Sequence, residues 1–126
     1  MNWEHSESST MPAFPLVVLN LQGPLTIGKA AADLRRQVEQ HVENGRNRII
    51  FDLSQVPYMD TSGLGELVRC VKRLGEASGQ MVVVPGAANH SFLERFKLDL
   101  VFNLQPDLPG AYKWLEDHSP RHFSNT

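Results

Sequence analysis

The apolar residues of this chain change rhythm several times, and each change marks an element. Leu16-Val17-Val18-Leu19-Asn20-Leu21 is a β-type run, stopped by Gly23-Pro24. Leu25-Thr26-Ile27-Gly28 reads as a short connection. From about Lys29 the spacing becomes helical: Ala31, Leu34, Val38 and Val42 share one face, while Asp33, Arg35, Arg36, Glu39 and Gln40 take the other. Asn44-Gly45 supplies the stop. Arg48-Ile49-Ile50-Phe51-Asp52-Leu53 is apolar on both faces, as a covered central strand should be, and Pro57 bars its continuation.

Tyr58-Met59 then leads into Asp60-Thr61-Ser62-Gly63. A second helical stripe follows at Leu64, Leu67, Val68, Val71 and Leu74, with Glu66, Arg69, Lys72 and Arg73 expected to face outward and Gly75 or Gly79 to end the helix. Gln80 to Val84 is another buried strand, closed by Pro85-Gly86. Asn89 is expected to cap a short helix that turns Phe92, Leu93 and Phe96 inward. Val101-Phe102-Asn103-Leu104 reads as a short last strand. Asp107-Leu108-Pro109 opens a terminal helix, with Pro109 tolerated in its first turn and Leu108, Tyr112 and Leu115 expected to be buried.

Strands alternating with helices imply an α/β domain, with a mixed, largely parallel sheet of four or five strands packed against about four helices. The domain is expected over 13–116. The Ser-rich segment 1–12 is expected to be flexible or a weak edge strand, and the polar segment 117–126 a flexible tail.

Composition narrows the function. With 126 residues, 41% hydrophobic and 21% charged, the chain is long enough to fold around its own core without metal or disulfide, and Cys70 is its one cysteine. A formal net charge of -2 gives no basic excess for a phosphate backbone, so direct nucleic-acid binding is not expected. Apolar runs such as Met81-Val82-Val83-Val84 are far too short to cross a bilayer, and the first residues have no signal-peptide pattern, so membrane insertion is not expected and a reducing cytoplasm is the simplest compartment.

The most informative stretch is Asp60-Thr61-Ser62-Gly63-Leu64-Gly65, between a buried strand and an amphipathic helix. The carboxyl ends of strands face the usual crevice of an open α/β sheet. The first turn of a helix there offers free N–H groups and a partial positive charge, suited to a capping side chain or to an added phosphate. Most Asp, Ser or Thr residues before a helix are simply caps. Here two adjacent hydroxyls stand where a cap needs one, and Gly63 and Gly65 are expected to leave backbone accessible to a partner. Catalytic patterns are absent. There is no third glycine of a dinucleotide fingerprint, no phosphate loop and no nucleophile elbow. His5, His41, His90, His118 and His122 are scattered, and Pro120 disfavours a helix that would converge His118 and His122 on a metal. Cys70 reads as a small, partly buried filler, and Asp52, a conceivable acid/base partner for Asp60, as an ordinary strand-end residue. No catalytic residue, metal or cofactor is assigned.

The segment Ile49-Ile50-Phe51-Asp52-Leu53-Ser54 through Val56-Pro57-Tyr58-Met59-Asp60-Thr61-Ser62-Gly63-Leu64-Gly65 resembles the signature of STAS domains, a family whose name joins sulfate transporters with anti-sigma factor antagonists. The likeness extends back through Leu19 to Leu25 and forward through Gly79 to Val84 and Leu98 to Phe102. Stand-alone bacterial members are anti-sigma factor antagonists, so the resemblance implies a partner switch. The unphosphorylated domain would bind an anti-sigma factor that is also a serine/threonine kinase. The kinase would phosphorylate the hydroxyl after the motif Asp, here Thr61 with Ser62 as the alternative, and a PP2C-type phosphatase would remove the mark. The implied partner surface is Asp60, Thr61, Ser62, Gly63, Leu64 and Gly65. Threonine at the acceptor position occurs in stress-signalling scaffold members, where simple antagonists usually carry serine. The second expectation is therefore an unphosphorylated STAS scaffold, or a subunit of a larger signalling or transport complex. Assembly into a homo-oligomer is allowed. The family's usual Gly-Glu-Leu-Asp turn reads Gly23-Pro24-Leu25-Thr26 here, without its two carboxylates.

Overall fold

The computed structural model describes residues 16–118. The edge strand expected within 1–12 and most of the tail 117–126 lie outside the described residues. In chain order the elements are β1 (Val17–Gln22), α1 (Lys29–Glu43), β2 (Arg48–Gln55), α2 (Thr61–Glu76), β3 (Gln80–Val84), α3 (Gly86–Arg95), a 3-10 turn (Leu98–Leu100), β4 (Asn103–Leu104) and α4 (Leu108–Asp117). The four strands form one sheet in the order β1-β2-β3-β4, and all three pairings are parallel. This is the α/β architecture that the alternating pattern implies.

The topology decides which helix covers which face. Strand order rises monotonically, so crossovers of one hand place α1, α2 and α3 on the same side of the sheet. That side holds the main core: Val17, Leu19, Ile49, Phe51, Leu53, Met81 and Val83 from the strands meet Leu34, Val38, Leu67, Leu74 and Leu93 from the helices. Only α4, which follows the last strand, returns across the other face. There Ala111 and Leu115 pack on Leu16, Val18, Ile50, Val82 and Val84. Alternate residues of each strand therefore serve two cores, which is why β2 and β3 read as unbroken apolar runs. Removing each large side chain from water contributes about 1.5–3 kcal/mol before chain entropy is set against it.

Buried Arg48 joins the two layers: its Nε donates to Gln80 Oε1 on β3 and its guanidinium to the Leu115 carbonyl of α4. Burial pulls this guanidinium down to about 10.

Several local expectations are corrected. Asn89 is not the cap of α3. Pro85 holds that position, and Asn89 sits buried within the helix. Phe96 lies just past the helix end and is exposed, resting edge-on against Phe92 at 5.1 Å. The last strand is confined to Asn103–Leu104, because a 3-10 turn takes up Leu98–Leu100 and leaves Val101 exposed. In α4 the inward residue is Ala111, and Tyr112 turns to solvent one residue round the helix. Val68 of α2 is exposed, whereas Glu66 is buried. Helix α2 runs past Gly75 to Glu76, and the Gly79 N–H closes the turn on the Leu74 carbonyl at 2.7 Å.

Candidate functional site

Two loops meet where β1 and β2 end, and backbone pairing extends beyond the strands to join them. The Gly23 N–H donates to Gln55 O (3.1 Å) and the Leu25 N–H to Tyr58 O (3.1 Å), while the Asp60 N–H donates to Leu25 O (3.3 Å). Leu25 and Met59 form an isolated parallel bridge and are both buried. The segment that reads as a mere connection, Leu25-Thr26-Ile27-Gly28, is thus half of the site.

Asp60 is the cap of α2. Its backbone is extended, and its Oδ1 accepts from the Gly63 N–H at 2.8 Å, satisfying one of the open donors of the first turn. Its Oδ2 accepts from the Ile27 N–H at 3.2 Å. One carboxylate therefore fixes the start of α2 and holds the neighbouring loop. The Gly63 N–H foremost, with Ile27 N–H helping, keeps the Asp60 carboxyl below the usual carboxylate range. Asp52 is engaged elsewhere, its Oδ1 accepting from the backbone N–H and Oγ of Ser54 at 3.0 and 2.7 Å. The two aspartates serve separate turns.

The two glycines of the motif differ. Gly63 is buried against Leu25, and an added Cβ would overlap the Leu25 carbonyl oxygen and lie 2.9 Å from its carbonyl carbon. Its backbone is thus not accessible as the sequence suggests; it is glycine because another strand end lies on it. Gly65 is exposed, with open space where a Cβ would stand.

Thr61 is the first residue of α2 and exposed, Ser62 is half-buried, and Leu64 is buried. Beside Thr61, the two loops carry Ile27 and Tyr58, exposed at 73% and 58%. Large exposed side chains on the two loops that lead to an exposed helix start are suited to a protein partner. From below, the buried Asn89 side chain donates to the Val56 carbonyl at 2.8 Å, anchoring the loop 56–60 to α3.

Ion pairs brace the two helices that leave these loops. Glu66 accepts from Arg35 Nη2 at 2.8 Å and from Arg35 Nε at 3.3 and 3.4 Å across the α1–α2 groove, and Arg69 Nε stands 3.7 Å away. The carboxylate raises the Arg35 guanidinium further above its ordinary value. Arg73 Nε pairs with Glu39 at 2.5 Å one level down. Cys70 lies buried beneath this groove, its thiol pushed up to about 12 by burial and the nearby Glu66. Among the described residues no group of three His, Cys, Asp or Glu could hold a metal ion, and no helix is long and apolar enough to cross a membrane. The His118 ring stacks on Trp114 with centroids 4.0 Å apart.

Of the expected site residues, Thr61 and Gly65 meet solvent, Asp60 and Ser62 do so in part, and Gly63 and Leu64 form the floor. The pattern omits Ile27, Tyr58, Arg35 and Glu66. The sequence signal for Ile27 is a large apolar side chain between Thr26 and Gly28, outside any periodic stripe. Arg35 and Glu66 are 31 residues apart and carry no local signal at all.

The comparisons with known proteins bear on family and fold. The STAS domain model matches residues 8–111. A candidate anti-sigma factor antagonist of Thermotoga maritima is similar in structure at a TM-score of 0.73 and 22% identity, over 80% of this chain and 87% of that one. The anti-sigma factor antagonist SpoIIAA is similar in its unphosphorylated form (TM-score 0.61, 18% identity, 79% and 87% of the two chains). Its phosphorylated form gives a TM-score of 0.59 at 19% identity, over 78% and 89%. A sulfate transporter family protein of Wolinella succinogenes gives 0.69 at 17% identity, over 86% and 91%. At these identities the structures speak for the fold, and the family model, matched over most of the chain, speaks for descent: the chain belongs to the STAS domain family.

Proposed function

We propose that this protein is an anti-sigma factor antagonist that switches partners. Unphosphorylated, it binds an anti-sigma factor with serine/threonine kinase activity through the turn Asp60-Thr61-Ser62-Gly63-Leu64-Gly65 and the exposed Ile27 and Tyr58 of the adjoining loops. Phosphorylation of Thr61 releases it, a PP2C-type phosphatase restores it, and the cycle runs in the cytoplasm. The observation that carries this reading is the exposed Thr61 at the start of α2, directly after the capping Asp60, with Ile27 and Tyr58 exposed on the two loops that meet there. The relatives solved as anti-sigma factor antagonists, one of them in a phosphorylated form, support it.

The energetics favour a local switch. A phosphate on Thr61 adds about 1.5 to 2 negative charges. The helix start offsets this by about 0.3–1 kcal/mol, and Asp60 opposes it, so the fold is little changed. A partner covering the turn would meet an unpaired buried charge, which costs several kcal/mol. Binding is lost while the fold remains.

The test is the affinity of Thr61→Glu for a kinase-type anti-sigma factor, with circular dichroism as the fold control. Loss of binding with an unchanged fold is expected; binding equal to wild type overturns the reading. A second reading, an unphosphorylated scaffold or subunit of a larger signalling or transport complex, is favoured by the likeness to the Wolinella succinogenes protein. Mass spectrometry after incubation with ATP and the kinase separates the two, since the scaffold gains no phosphate.

A further inference from the structure

The two hydroxyls of the turn face different surroundings. At 100° per residue, Thr61 shares its face with Gly65 and Val68 and points to solvent, whereas Ser62 lines up with Glu66 and Arg69 on the side facing α1. Ser62 opens on a surface pocket of about 370 Å³ between the two helices, lined by Ala31, Arg35, Gly65, Glu66 and Arg69 among others. Thr61 does not line it.

The pocket has room and spare donors. Gly65 lies three residues after Ser62 and four before Arg69, and its missing side chain keeps the corridor between them open. Arg69 is 62% exposed and approaches Glu66 only through Nε at 3.7 Å, too long for a hydrogen bond. Neither of its amino groups makes a hydrogen bond among the described residues. Arg35 is engaged through Nε and Nη2, which leaves its other amino group similarly placed. Two guanidinium groups around one carboxylate leave a net positive charge on the α1 side of Ser62, while the Asp60 carboxylate is turned to the Gly63 and Ile27 N–H groups, and a guanidinium binds phosphate through paired N–H donors.

We propose that Arg69, with Arg35, is an intramolecular receptor for a phosphate on Ser62. The phosphate draws Arg69 off Glu66 and ties the start of α2 to α1, whereas a phosphate on Thr61 stays in solvent and acts on a partner. The two hydroxyls therefore give distinct modified states. This inference rests on the modification proposed above for the same turn, but its test needs no kinase or partner. Its failure is thus separable from failure of the Thr61→Glu binding test.

The experiment installs phosphoserine at position 62, or phosphothreonine at position 61, by genetic-code expansion and follows each by 31P NMR between pH 4 and pH 8. A solvated phosphate titrates near pH 6. The Ser62 phosphate is expected to titrate lower by about half a unit or more, because the guanidinium favours the dianion. Arg69→Gln should return it most of the way, while the Thr61 phosphate should be indifferent to Arg69→Gln. Identical titration of the two phosphates, an unchanged Ser62 titration in Arg69→Gln, or a Ser62-phosphorylated protein that melts well below wild type would each overturn the proposal.

Discussion

The Asp60 carboxylate holds the Ile27 backbone N–H at 3.2 Å while capping α2 through Gly63, so the ends of β1 and β2 are joined by one side chain at the point where the phosphoacceptor is proposed. The hydroxyl of Thr61 stands on a frame made by two loops, and changes to that frame should be measurable apart from partner binding.

Asp60→Asn keeps a good cap oxygen for Gly63 but loses the second carboxylate acceptor at Ile27. Helix content should be unchanged, and hydrogen exchange at the Ile27 amide should quicken. The pH dependence has a definite sign. Because Asp60 has its carboxyl lowered in the folded state, its contribution is complete above the unfolded value of about 3.9 and fades as pH falls through the lower folded value. Urea titrations from pH 5 down to pH 2 should show the gap between wild type and Asp60→Asn closing. A gap that stays constant would remove the carboxylate as its source.

Gly63→Ala and Gly65→Ala should have opposite effects despite equal gains in helix propensity of about 1 kcal/mol. At position 63 the methyl meets the Leu25 backbone, which cannot rotate away, so a net loss of about 1–3 kcal/mol is expected. At position 65 the methyl enters open space, and stability should rise. Denaturant midpoints compare the pair directly.

Asn89→Leu withdraws the donor from the Val56 carbonyl in a buried setting and should cost about 1–3 kcal/mol. Amide exchange in residues 56–60 should quicken more than in α4, which packs on the opposite face of the sheet. A uniform loss of protection would mean that Asn89 supports only the core.

Cys70 should resist thiol reagents in the native protein. Its thiol is pushed up to about 12 and is buried, so very little of it is the reactive thiolate at pH 8. Labelling should accelerate with urea in step with unfolding. Rapid native-state labelling would show that the α1–α2 groove opens by itself.

The sequence alone determined the order and type of the elements, the doubly covered strands and the Asp60 turn, since each is written in residues close together in the chain. Period-two and period-3.6 spacing, Gly-Pro stops and a capping Asp are short-range signals, and the short apolar runs Ile49 to Leu53 and Met81 to Val84, bounded by turn residues, read as covered strands. The same patterning misplaced Glu66, Asn89, Phe96 and Tyr112, because a polar residue inward or an aromatic outward depends on what stands opposite. Glu66 is buried since Arg35 lies across the groove, and Asn89 since the Val56 carbonyl needs a donor. Gly63 is the clearest case: its place in the motif was legible, but its reason, the Leu25 carbonyl lying on it from a loop 38 residues earlier, is a contact between two strand ends that only the folded sheet brings together.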